Sequence, residues 1–190
     1  MKLNIRKYGD PVLRQKGARL EKVTPEIKQL VADMFDTMYE AHGVGLAAQQ
    51  VGHALQLTII DVRGIKDRPS IMKIDGKEVD PEAHMPLVLI NPHLKPGAET
   101  IKGSEGCLSF PEIFTDITRP AEVEVSATNE KGAKISFHAG GLLAKAVQHE
   151  FDHLQGILFI DRMSSEAKRE FKPELEALAD ETKAELKKKR

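Results

Sequence analysis

The chain has no tryptophan, two tyrosines and one cysteine, Cys107. One cysteine closes no intrachain disulfide, so a disulfide-stapled scaffold is excluded. Charge of one sign is also lacking: 28 Lys and Arg stand against 29 Asp and Glu, a net charge of −1. A dedicated nucleic-acid binder would carry a basic surplus, so specific nucleic-acid recognition is not expected. No run approaches the roughly 18 apolar residues of a membrane span. The start, Met1-Lys2-Leu3-Asn4-Ile5-Arg6, lacks the apolar core of about 7–15 residues that a signal peptide needs. The expected location is cytoplasmic. Internal repeats and low-complexity tracts are absent.

What is present suits a folded domain. The 190 residues are 41% hydrophobic and 30% charged, too apolar for a disordered chain. A domain of this size buries about 70% of its unfolded surface and needs no staple. Thr24-Pro25 predicts a helix start, with a capping hydroxyl followed by a proline whose missing N–H costs nothing there. Ile27, Leu30, Val31, Met34, Phe35 and Met38 then make one apolar face, ending near Gly43. Strand-like runs follow at 57–62, 87–90, 121–127 and 135–138. The alternation in Glu122-Val123-Glu124-Val125-Ser126 predicts a half-exposed strand. Residues 63–86, rich in Gly, Pro and charge, read as a long surface loop or short hairpin. A second helix is expected from about residue 140 to 155, with Leu143, Val147, Phe151 and Leu154 on one side and Leu142, Ala146, His149 and His153 on another, and therefore central and largely buried, with Gly156 placed to end it. The segment 166–190 reads as a charged helical tail with Leu175 and Leu178 as sparse anchors and a basic end over 187–190. Residues 1–165 would form the catalytic domain.

The sharpest local signal is His149-Glu150-Phe151-Asp152-His153. On a helix the two histidines lie one turn apart on one face, so both imidazoles can reach one metal ion. Glu150 projects to an adjacent direction, where a carboxylate base can meet water at that ion. A catalytic metal takes about three protein ligands and keeps an open position. One protease class supplies the third ligand downstream as H-E-x-x-H-x-x-G-x-x-H, but that position is Phe159 here, which binds no metal. Glu166 or Glu170 would serve a different peptidase geometry. Upstream, Cys107 sits in Gly103-Ser104-Glu105-Gly106-Cys107-Leu108-Ser109, read as a loop of small residues that can approach a cation closely. A third segment, Gly43-Val44-Gly45-Leu46-Ala47-Ala48-Gln49-Gln50, permits close backbone approach but lacks the residues of a phosphate-binding loop. The other five histidines, His42 among them, show no ligand spacing.

Taken in order, residues 43–50, 105–109 and 149–153 resemble the peptide deformylase pattern G-φ-G-φ-A-A-x-Q, E-G-C-φ-S and H-E-x-x-H, where φ is apolar. The resemblance extends over roughly residues 3–165, through Asn91-Pro92, Gly141-Leu142-Leu143-Ala144, Gln148 and Leu158-Phe159-Ile160-Asp161. It implies an α+β fold, a compact single domain with antiparallel sheets around a central helix that carries the H-E-x-x-H motif. It implies a hydrolase that removes the formyl group from N-terminal formyl-methionine of nascent peptides and releases formate. Cys107, His149 and His153 would be the metal ligands. Fe2+ is the ion implied, with Zn2+, Ni2+ or Co2+ able to substitute. Glu150 would be the acid–base group, with Gln50 and the Leu108 N–H donating to the formyl oxygen. Val44, Gly45, Gly106 and Leu142 would hold the substrate, with Ala146 and His149 beside the methionine side chain. Glu105 and Arg119 resemble a pair that braces the cysteine segment. Lys145 departs from a position often aliphatic in the family, and residues 63–86 are longer than in compact members. The basic 187–190 end suggests contact with the ribosome.

Overall fold

The computed structural model describes residues 1–188. Lys189 and Arg190, half of the basic end singled out above, lie outside the described residues. Helix α1 (Pro25–Glu40) starts where its cap predicts: the Ile27 N–H donates to the Thr24 hydroxyl at 3.4 Å. A short strand β1 (Gly45–Ala47) leads into a 3₁₀ turn over Ala48–Val51, and β2 (Leu57–Ile60) follows. The next strands are β3 (Ser70–Ile74), β4 (Lys77–Val79), β5 (Leu87–Pro96), β6 (Thr100–Cys107), β7 (Phe110–Pro120), β8 (Glu122–Thr128) and β9 (Lys134–Gly140). Helix α2 (Gly141–Leu154) carries the histidine pair, and α3 (Phe159–Arg162), α4 (Ser165–Glu170) and α5 (Lys172–Lys188) complete the described chain. Seven strands form one antiparallel sheet in the order β1-β2-β5-β8-β9-β3-β4, and β6 pairs with β7 as a separate hairpin.

The composition of each strand follows from what covers it. In β2 and β5 the apolar residues run on without alternation because both faces are buried. Leu57, Ile59, Val88 and Ile90 pack with Val31, Met34 and Met38 of α1. Ile60, Leu87 and Leu89 face the other way and pack with Leu142, Leu143 and Val147 of α2. Thr58 is the polar exception, and its buried hydroxyl donates to the Leu46 carbonyl at 2.9 Å. Strand β8 has one open face, so it alternates: Val123, Val125 and Ala127 are buried while Glu122, Glu124 and Ser126 are exposed.

Two expectations are revised. Residues 63–86 contain a hairpin, but β3 also pairs with β9, so this segment extends the main sheet instead of lying on its surface. Residues 103–107 are the end of strand β6, not a loop, and Leu108-Ser109 is the two-residue turn into β7. The tail is also anchored more widely than two leucines. Ala167 and Phe171 join Leu175 and Leu178 against a third core of Leu13, Phe110, Ile117, Leu158 and Phe159. No helix among the described residues is long and apolar enough to cross a membrane.

Asn91 fastens the incoming chain to β5. Its Oδ1 accepts the Leu20 N–H at 2.9 Å, its Nδ2 donates to the Leu20 carbonyl at 2.7 Å, and its own φ is +49°. Asn91→Ala removes both partners and places alanine in the left-handed region. Thermal unfolding of that variant should show a loss of about 2–3 kcal/mol, or roughly 5–10 °C in Tm.

Candidate metal centre and active-site cleft

The 3.6-residue period of α2 places His149 and His153 together, with ring centroids 5.0 Å apart. Cys107 arrives from the other side at the end of β6, its Sγ 3.3 Å from His153 Nε2. One donor atom from each of the three lies within 4.8 Å of the others. One sulfur and two imidazole nitrogens suit a borderline divalent ion and leave a position open. The downstream alternatives do not converge. Glu166 and Glu170 are exposed on α4, Glu166 faces Arg169, and Phe159 is a core residue edge-on to Phe110.

The groups around the ligands set their orientation. His149 Nδ1 donates to Glu105 Oε2 at 3.2 Å, which turns Nε2 toward the site. Glu105 also receives two bonds from Arg119, at 2.6 and 2.9 Å. Burial acts to raise the Glu105 pKa, but the bonds from His149 and Arg119 win and hold it down at about 2. Burial likewise opposes a charge on His149, yet contact with Cys107 and Glu105 raises its pKa well above the ordinary value. His153 is shifted the other way, well below the ordinary value, by burial and by the charges of His149 and Arg119, so the two imidazoles differ sharply in their hold on a proton.

Glu150 is 4% exposed, and its Oε2 has no protein donor. Burial pushes this carboxyl up to about 7. Its place depends on Gly45: a Cβ there would stand 2.5 Å from Glu150 Oε1. Gln50 is fixed by the 3₁₀ turn. The Ala47 N–H donates to its Oε1 at 2.9 Å, and its Nε2 points to Ser109 Oγ at 3.2 Å and Cys107 Sγ at 3.6 Å.

These groups open into a cleft of about 540 Å³. Val44, Gly45, Gln50, Gly106, Cys107, Leu108, Leu142, Ala146, His149 and Glu150 all line it, while His153 lies beneath, 1% exposed. Sequence reasoning missed several neighbours. Asp152 sits at a variable place of the H-E-x-x-H motif, yet it binds Arg119 at 2.8 Å and Arg162 at 2.6 Å. Ser109 is fully buried beneath Gln50. His42 and Arg68 reach the cleft wall. Nothing in local spacing signals these contacts, because each joins distant segments.

A helix-borne histidine pair, a glutamate between them and a strand-borne cysteine define a metal-dependent hydrolase. The family model described as polypeptide deformylase matches residues 2–169. A peptide deformylase of Methylacidiphilum infernorum is 48% identical over 178 residues, covering 94% of this chain and 93% of that protein. One from Opitutus terrae is 40% identical over 189 residues, covering 98% of each. A crystal structure of Arabidopsis thaliana peptide deformylase 1B superposes with a TM-score of 0.81 at 35% identity, covering 97% of this chain and 93% of that one. The chain belongs to the polypeptide deformylase family.

The ligand set has a direct test in metal retention. Cys107→Ala should lose the ion on gel filtration, whereas Glu166→Ala and Glu170→Ala should keep it. Glu105→Ala, which removes the acceptor of the His149 Nδ1–H, should weaken affinity about 10–100-fold in a chelator competition.

Proposed function

We propose that this cleft hydrolyses the formyl amide of N-terminal formyl-methionine on nascent polypeptides, with residues 1–165 as the catalytic part. The observation that carries the reading is the convergence of Glu150, Gln50 and Cys107 on one cleft, each held by a different element. Cys107, His149 and His153 would hold one divalent ion, which supplies acidification of water and polarisation of a carbonyl oxygen. We infer Fe2+, with Zn2+, Ni2+ or Co2+ as substitutes.

Glu150 takes the proton of the attacking water and delivers it to the departing amine. The water oxygen joins the formyl carbon, the C–N bond breaks, and formate and a free N-terminus leave. Charge that builds on the formyl oxygen meets donors from Gln50 Nε2 and the Leu108 N–H. Strand β1 is an edge strand, and the cleft-lining backbone of Val44, Gly45 and Gly106 suits an extended peptide bound as an added strand. Leu142 and Ala146 offer apolar walls to the methionine side chain.

The decisive assay is formate release from formyl-Met-Ala-Ser by anaerobically prepared, metal-loaded protein. Glu150→Ala with equal metal content should abolish release, and Gln50→Ala should lower the rate about 100–1,000-fold. Absence of release from folded, loaded wild type would reject the reaction. Elemental analysis of the anaerobic preparation identifies the ion.

The tail over 166–190 gives a second reading of place. A basic end over 187–190 suits weak, salt-sensitive contact with the ribosome in the cytoplasm. Removing those four residues should reduce co-sedimentation with ribosomes at low salt. Unchanged co-sedimentation would remove the idea.

A further inference from the structure

The mouth of the cleft carries cations that the proposed reaction does not use. Lys145 lies on α2, three residues after Leu142 and four before His149, so it shares the face that lines the cleft. Its Nζ rests against Gly103 of β6, where an added Cβ would stand 2.1 Å away. A side chain at 103 would displace the ammonium from this position. Among the described residues Lys145 enters no ion pair; of the carboxylates that line the cleft, Glu105 is committed to Arg119 and His149, Glu150 is assigned to the reaction, and Glu112 pairs with neither cation.

Arg68 reaches the same wall from the 63–86 segment. The Leu142 N–H donates to the Pro69 carbonyl at 3.0 Å, which ties the residue after Arg68 to the first turn of α2. The ion pair that Arg68 makes, with Asp67, spans 3.9 Å between side chains 55% and 82% exposed. A contact of that kind holds an arginine weakly. Two cations from separate segments thus stand at one mouth without strong partners. A peptide whose formyl end reaches Glu150 must run its following residues out through that mouth, because a polypeptide is longer than the cleft.

We propose that Arg68 and Lys145 form a cationic rim that favours formyl-methionyl peptides bearing carboxylate side chains just after the methionine. The proposal rests on the deformylase reading of the cleft. Two exposed charge contacts should give a preference of about three- to tenfold in kcat/KM. It should appear in KM more than kcat, because the rim touches no reacting atom. It should shrink as salt shortens the screening length.

The test compares formyl-Met-Asp-Asp with formyl-Met-Asn-Asn on the metal-loaded full chain, in low and high NaCl. A parallel titration measures binding of the unreactive acetyl-Met-Asp-Asp and acetyl-Met-Asn-Asn. Wild type should favour the acidic member of each pair. The double variant Arg68→Gln, Lys145→Met should lose that ratio, Lys145→Arg should retain it, and Lys95→Met, away from the cleft, should leave it unchanged. Equal use and binding of acidic and neutral peptides by wild type would overturn the rim, as would a preference that survives the double variant. If neither formyl peptide releases formate but the acetyl pair still shows a rim-dependent preference, the rim stands and the reaction falls.

Discussion

The chain of ion pairs Glu105–Arg119–Asp152–Arg162, buried at its first three members and exposed at Arg162, is the contact on which the candidate metal centre depends. It joins β6, β7, α2 and α3 in sequence, with heavy-atom distances of 2.6 to 2.9 Å. Arg119 is 3% exposed, so its guanidinium has left water and must be satisfied by both carboxylates at once. Removing one member of such a network leaves an uncompensated buried charge, which typically costs about 3–5 kcal/mol. Glu105 also holds His149. Glu105, Arg119 and Asp152 therefore tie the cysteine strand to the histidine helix, and Glu105 orients His149, one of the three candidate ligands. Stability and chemistry share one set of contacts here.

That network is set against a helix packed on two sides and at its end. On one side the helix buries Leu142, Leu143 and Val147 against the seven-stranded sheet. On the other it meets the β6–β7 hairpin through Cys107 and Arg119. Gly156 ends it in a left-handed conformation, φ +73°, where the Arg14 carbonyl passes 2.5 Å from the place a Cβ would occupy. The N-terminal segment is thereby packed against the far end of the catalytic helix. A side chain at 156 would push these two segments apart and shift His153 with them.

What was legible in the sequence was what is local. The His149–His153 pair follows from helical period alone, and the Thr24 cap and the alternation of β8 need only a few neighbouring residues. The β6–β7 hairpin was not legible as strands. Gly103 and Gly106 dilute its β-propensity, and its register breaks between Gly106 and Cys107, where Gly106 pairs with Phe114 and Cys107 with Phe110. That irregularity carries Glu112 at φ +62° and destroys the period-2 pattern that marks a strand. Asp152 was invisible for another reason. Its partners come from positions 119 and 162, and no local pattern in the sequence records that meeting. Cys107 became a ligand candidate only beside the other two motifs, since a lone cysteine is ordinarily a small buried hydrophobe.

Glu150 shows how opposite forces are set against each other in one small volume. Burial pushes its carboxyl up to about 7, toward the proton-holding form. Arg119 and the charge on His149 pull it the other way, and a divalent ion at the three ligands would add to that pull. A group that must accept a proton and then return it works best when neither form is strongly favoured. The fold achieves this without placing any cation in hydrogen-bond contact with Glu150: Oε2 is left without a protein donor, and Gly45 keeps the backbone close while excluding a side chain. The carboxylate that braces the ligands is treated in the opposite way. Glu105 accepts bonds from Arg119 and His149 and is held at about 2, so it stays charged. Two glutamates in one site are thus pushed apart by their surroundings alone, one fixed as an anion and one shifted to about 7, which is the division the proposed reaction needs.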